Sequence, residues 1–72
     1  MNNYHINVFF SSEDNCFVAD IPDLQYCSAF GDSPQEALAE VLVAQEVWLE
    51  SARANNIAIP IPTYRPSIVN VA

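Results

Sequence analysis

The chain has few basic residues, one glycine, one histidine and two cysteines, and each shortage excludes a class of site. The single glycine, Gly31, excludes a glycine-rich loop that cradles phosphate groups. The histidine and the cysteines, Cys16 and Cys27, are scattered, so the sequence holds no metal-ligand spacing. No apolar run approaches the ~20 residues that span a bilayer, and no cationic segment precedes an apolar stretch at the N-terminus. We therefore expect a soluble, cytoplasmic protein without a metal or cofactor.

Acidic residues dominate the charge of the chain. Nine acidic residues against two basic residues give a net charge of −7. A surface of this sign repels phosphate backbones and attracts basic proteins. We therefore expect a basic protein partner and no direct binding of nucleic acid.

The length of 72 residues fits one domain covering residues 1–72. A domain of this size buries only about 60% of the surface that its unfolded chain exposes. Because 51% of the residues are hydrophobic and no disulfide framework is present, further burial by self-association would stabilise the fold. We expect a homodimer or a higher even-numbered oligomer.

Two segments near the N-terminus have the period of a β-strand. Apolar and polar residues alternate over residues 4–10, residues 16–21 are rich in aromatic and β-branched side chains, and residues 11–15 form a polar turn cluster. A turn between them makes an antiparallel hairpin in which Phe10 is opposite Phe17. Apolar side chains then lie opposite apolar side chains, which supports this register.

A second turn at residues 22–25 folds residues 26–30 back as a third antiparallel strand. In the register that we expect, Phe30 lies beside Phe17. The two cysteines are then not cross-strand neighbours, which argues against a disulfide. The sheet face away from the helix mixes apolar and polar side chains, as a protein interface does, although a sheet with one solvent-exposed face explains this composition too. The apolar residues expected on this face are Phe9, Val18, Ala29 and Cys16.

The clearest local signal is the start of a helix. Ser33 and Glu36 form a capping box, and Pro34 falls at the first helical position. We expect the helix to run to about Asn55, with an apolar stripe that Gln45 interrupts. The helix residues expected in the core are Leu38, Leu42, Trp48 and Leu49, and their expected sheet contacts are Ile6, Val8, Phe17 and Ile21.

Residues 67–71 have strand character, and we expect them to add a C-terminal edge strand. The predicted fold class is α+β in two layers. A three-stranded antiparallel meander plus that edge strand forms the sheet, and one helix packs on one face.

Catalytic chemistry has little support in the residues. Asp20 and Asp23 could form a carboxylate pair, but aspartate is common in turns and no further residue completes a site. His5 stands alone on the first strand, and the serines lie in turns or at the helix cap. We therefore expect no catalytic residue.

An ordered set of motifs over residues 4–63 resembles the HicB antitoxin family. The set consists of Pro22-Asp23-Leu24, Cys27, Gly31-Asp32-Ser33, Glu36-Ala37, Trp48-Leu49-Glu50 and Pro60-Ile61-Pro62. One departure is visible, since Gln25 and Tyr26 stand where the family usually has Pro-Gly. The turn there and its partner contacts are therefore expected to differ.

The resemblance implies a truncated ribonuclease-H-like domain that occludes a small, basic, mRNA-cleaving toxin of the HicA type. It also implies a stand-alone form without the DNA-binding segment that many members append. The residues expected to bind the partner are Phe9, Glu13, Asp14, Asp20, Asp23 and Tyr26. Those expected at an oligomer contact are Phe9, Val18 and Val69.

Two alternatives remain beside the antitoxin hypothesis. One is an orphan oligomeric scaffold or ligand-binding module of the same fold. The other is a residual metal-dependent nuclease, which is disfavoured because Asp20 is the sole acid on the predicted strands and such chemistry needs several convergent carboxylates.

Overall fold

A computed structural model describes residues 3–65. Strands β1 (Asn7–Ser11), β2 (Cys16–Asp20) and β3 (Ser28–Gly31) precede one helix, α1 (Pro34–Ala54). The strands form an antiparallel sheet in the order β1-β2-β3, and α1 covers one of its faces. The predicted α+β fold is confirmed. The predicted edge strand at residues 67–71, with Val69, lies outside the described residues.

The register of the first hairpin agrees with the prediction. Phe10 is paired with Phe17, and Val8 is paired with Ala19. The strand begins at Asn7 rather than at residue 4, because the side chain of Tyr4 is buried in the core and its hydroxyl donates to the Pro60 carbonyl.

The predicted register of the second hairpin was wrong by one residue. Phe17 is paired with Gly31, and Phe30 is paired with Val18 instead. A one-residue shift moves every side chain of a strand to the other face. Phe30 therefore lies on the face away from α1, and Ala29 faces the helix, the reverse of the expectation.

Gly31 shows why this register is required. A Cβ atom at Gly31 would lie 2.4 Å from the backbone nitrogen of Ala37 and 2.9 Å from the carbonyl carbon of Glu36. The first turn of α1 packs directly on the backbone of β3 at this point. Only glycine leaves room for that approach.

The helix ends agree with the sequence, but the predicted phase was partly wrong. The Ser33 side chain accepts from the backbone N–H of Glu36, and a Glu36 carboxylate oxygen accepts from the N–H of Asp32, which confirms the capping box. Leu38 and Leu42 are exposed at the flank of the stripe. The buried helix residues are Ala37, Val41, Gln45, Leu49 and Ala52.

The core lies between α1 and the inner parts of β2 and β3. Ile21, Leu24, Val41 and Leu49 are its largest fully buried side chains. Trp48 packs against this cluster as expected, as do Ile6 and Phe17, whereas Val8 is partly exposed, against the expectation. The helix packs mainly on β3 and β2, which leaves the β1 side less covered.

Candidate partner-binding surface

The residues that the sequence indicated for partner binding do not form one cluster. Glu13 and Asp14 lie in the turn between β1 and β2, whereas Asp20 ends β2 at the opposite end of the sheet, near Tyr26. At about 3.4 Å per residue, the length of β2 separates the two ends by roughly 15 Å. Phe9 lies between them, in the middle of the face away from α1.

In the first turn, Asp14 has a structural role. The Ser11 hydroxyl donates to the Asp14 carboxylate at 3.0 Å, and the Asp14 backbone N–H donates to the Ser11 hydroxyl oxygen at 3.3 Å. Glu13 and Asn15 are exposed beside this pair, and Asn15 has the left-handed φ of 52° that Asn tolerates. Glu13 and Asp14 are both exposed, so both carry negative charge at this end of the sheet.

Asp23 holds the segment after the helix in place. Its carboxylate accepts from the Thr63 N–H at 3.2 Å, from the Thr63 hydroxyl at 3.1 Å and from the Tyr64 N–H at 3.1 Å. Residues 59–64, which we call the strap, also meet the N-terminus, where the rings of His5 and Tyr64 lie 4.9 Å apart. The sequence prediction missed this role because the contact joins residues 40 positions apart. The Asp23 carboxylate is therefore occupied by hydrogen bonds within the chain.

The turn between β2 and β3 is fixed from several sides. The N–H of Ile21 donates to the Cys27 carbonyl at 3.0 Å, and that of Cys27 donates to the Leu24 carbonyl at 3.1 Å. From the helix, Trp48 Nε1 donates to the Gln25 carbonyl at 2.9 Å. The Leu24 side chain is fully buried beneath the turn. These contacts make residues 22–27 a rigid platform, which we call the turn platform.

A groove of about 450 Å³ lies along the turn platform. Asp20 and Tyr26 are both among the residues that line it. The complete lining is Asp20, Ile21, Pro22, Leu24, Gln25, Tyr26, Cys27 and Ser28. A groove lined by an acid and by both polar and apolar residues suits a partner that presents basic and apolar groups.

Tyr26 is the unusual residue of this platform. Its φ is 62°, in the left-handed region, and its side chain is 93% exposed. A non-glycine residue in that conformation costs about 1–2 kcal/mol, and an exposed ring recovers nothing by burial in the isolated chain. The ring is thus held outward on a fixed backbone at a cost to stability.

The one thiol that lines the groove is not activated. Burial raises the pKa of the Cys27 thiol, so the thiolate that would act as a nucleophile is disfavoured near neutral pH. Cys16 and Cys27 are both free cysteines. Within residues 3–65 no three acidic, histidine or cysteine side chains come together to hold a metal ion. The same residues contain no helix that is long and apolar enough to span a membrane.

One comparison with known proteins decides the family. The chain is 38% identical over 58 residues to a UPF0150 protein of Synechocystis sp., and the alignment covers 81% of this chain and 78% of that protein. The chain belongs to the UPF0150 family. No family model matches this UPF0150 chain, and no solved structure matches it. The relative's name states a family and no activity.

Proposed function

We propose that this UPF0150 chain is a HicB-like antitoxin, which binds a small, basic, HicA-type mRNA-cleaving toxin and blocks its RNA-binding surface without catalysing a reaction. The ordered HicB-like motifs of the sequence and the net charge of −7 support the proposal. The observation that carries it is Tyr26 on the turn platform, exposed and in a left-handed conformation.

The conformation of Tyr26 connects the resemblance with the surface. The HicB-like pattern usually has glycine at this position, and a φ of 62° is one that glycine adopts without strain. This chain has an aromatic ring there instead, although the ring is 93% exposed. Backbone strain that no intramolecular contact offsets is typical of residues kept for binding. Tyrosine is also among the residues that contribute most to protein interfaces.

The charge of the chain also supports a basic partner. Asp20 lines the groove, and Glu13 is exposed at the other end of the sheet. On a small chain of net charge −7 these acids add to a negative field that accelerates encounter with a basic protein. Binding steered in this way weakens as salt screens the charges.

The test is co-expression with a short basic protein encoded beside this chain, followed by co-purification at low and high salt. We expect relief of the growth arrest that the toxin causes and a complex that weakens with salt. Tyr26→Gly is expected to weaken the complex at least tenfold, and Tyr26→Phe to retain it.

Asn56→Gly is the matched control, because Asn56 also has a positive φ, of 55°, but follows the helix and does not line the groove. We expect it to bind like the unmodified chain. If both proteins fold and neither co-purification nor relief of arrest is seen, the antitoxin assignment is wrong for that pair and the orphan scaffold is favoured.

A further inference from the structure

A further exposed surface lies on the side of α1 that faces away from the sheet. Six exposed residues of α1 follow one another at alternating steps of four and three residues, and we call this row the outer seam. The outer seam consists of Glu36, Glu40, Val43, Val47, Glu50 and Ala54. Such steps give the 3.5-residue period at which one helix packs along another in a coiled coil. The outer seam therefore has the spacing of a helix-docking surface, and the groove of the turn platform is lined by other residues.

The centre of the outer seam is apolar. The side chains of Val43 and Val47 are each 62% exposed, although the buried stripe of α1 lies on the opposite side of the helix. Next to these valines, a hollow of about 300 Å³ is lined by Val47, Glu50, Ser51 and Ala54. An apolar side chain of another helix can pack over the two valines, and a second can enter the hollow above the small residues.

Both ends of the outer seam are acidic. Glu36 and Glu40 precede the valines, and Glu50 follows them. With Glu46 beside the seam, α1 carries four of the nine acids of the chain, and its one basic residue, Arg53, is in the last turn. A second copy of this chain would bring glutamates against glutamates along the seam, which opposes self-association there. A helix with basic residues before and after an apolar centre would match the seam in both charge and spacing.

We propose that the outer seam docks a basic amphipathic helix of another protein, which lies along α1 with its apolar residues over Val43 and Val47 and its basic residues against the glutamates at both ends. At about 1.5 Å per residue, the seam is roughly 27 Å long, which is about five helical turns. Two valines offer little apolar surface, so attraction between opposite charges contributes much of the affinity and the complex weakens with salt.

The test is fluorescence anisotropy of a labelled synthetic peptide that is titrated with the full chain. The peptide is a helix of about three heptads, with leucines at the central seam positions and lysines at the seam positions on either side. We expect a dissociation constant in the micromolar range that rises with salt. Two control peptides should bind at least tenfold more weakly. One has the same composition with its leucines moved off the seam, and the other has glutamates in place of the lysines.

The double variant Val43→Ser, Val47→Ser should raise the dissociation constant of the peptide at least tenfold. Serine and valine have similar helix propensities, so α1 should stay folded, which far-UV circular dichroism checks. Ile57→Ser, Ile61→Ser is the matched control, because it removes two exposed β-branched side chains that follow the helix. We expect the control to bind the peptide like the unmodified chain.

Carbodiimide crosslinking locates the contact without a substitution. The reagent joins carboxylates to amines, and this chain has no lysine, so the lysines of the peptide supply the amines. We expect crosslinks at Glu40 and Glu50. Crosslinks confined to Glu13 or Asp20 would overturn the proposal, and so would equal affinity for the peptide with displaced leucines or for the double valine variant. These measurements use no toxin, so their result does not depend on the antitoxin proposal.

Discussion

Gly31→Ala tests how closely the helix packs on the sheet. The added Cβ atom would lie 2.4 Å from the Ala37 nitrogen and 2.9 Å from two carbon atoms of Glu36. These neighbours include backbone atoms of the first helical turn, so a rotamer change cannot relieve the contact. The start of α1 must move away from β3 by about 1 Å, since ordinary contacts of a Cβ atom lie near 3.5 Å.

The cost can be assembled from two parts. Overpacking at a buried site costs about 1–3 kcal/mol. The shift also strains the capping box, in which Ser33 accepts from Glu36 and Glu36 accepts from Asp32, and loss of such a cap costs about 1 kcal/mol. We expect Gly31→Ala to lower the free energy of unfolding by about 2–4 kcal/mol. A domain of 72 residues has roughly 4–11 kcal/mol in total.

Urea denaturation followed by circular dichroism measures this loss at constant pH and protein concentration. Ser28→Ala is the matched control, because Ser28 lies on the same strand and is exposed. We expect the control to change stability by less than about 0.5 kcal/mol. Gly31 has no positive φ, so the experiment tests space rather than backbone strain. An unfolding free energy for Gly31→Ala within about 0.5 kcal/mol of the parent would refute the reasoning.

Three further predictions concern the turn platform, the strap and pH. Tyr26→Gly should raise the free energy of unfolding by about 0.5–1 kcal/mol, because relief of the left-handed strain exceeds the entropy cost of glycine. Asn56→Gly should leave the free energy of unfolding nearly unchanged, and urea denaturation compares the two variants. Asp23→Ala should cost about 1–3 kcal/mol and speed proteolysis within residues 59–64, which limited digestion with mass spectrometry detects. Burial raises the pKa of Tyr4, and the negative charge of Asp23 raises it further. Burial also raises the pKa of Cys27. The folded state therefore favours the neutral form of both groups. Stability from these groups is present below their unfolded pKa values and is lost as pH rises, so alkaline titration above about pH 9 should lower the denaturation midpoint; an unchanged midpoint would contradict this.

The first hairpin was predictable because its signals are local. Apolar and polar residues alternate from Tyr4 to Val8, and the polar cluster after Phe10 favours the register in which Phe10 meets Phe17. The capping box at Ser33 was predictable for the same reason. The second hairpin depended on the length of its turn. An aromatic residue gives no sign that it will adopt a φ of 62°, so Tyr26 was assigned to a strand and the register moved by one.

The predicted helix phase was wrong at Leu38 and Leu42 for a reason of packing. Leucines dominate a hydrophobic periodicity, so Leu38 and Leu42 were expected in the core. The helix instead lies so close to Gly31 that small side chains are needed at the contact, and Ala37 and Val41 are fully buried there. The distance between a helix and a strand depends on the side chains of both elements. The hydrophobic periodicity of the helix alone therefore does not predict it.

The sequence predicted which types of residue line the candidate site, but not which of these residues lie close together. Tyr26 and Asp20 do share one groove. Asp23, two residues after Ile21 in the same turn, is engaged by the strap through contacts across 40 positions, which no local pattern signals. The position of Phe30 on the sheet face away from α1 required the corrected register, because Phe30 reaches that face only when it is paired with Val18.

The turn platform would meet a basic partner, so capture of that partner should depend on salt in one direction. The chain has a net charge of −7, which attracts a basic protein at long range. Dissolved salt screens this attraction, so the complex should weaken as the salt concentration rises. A complex whose affinity did not fall with salt would therefore contradict a contact steered by charge.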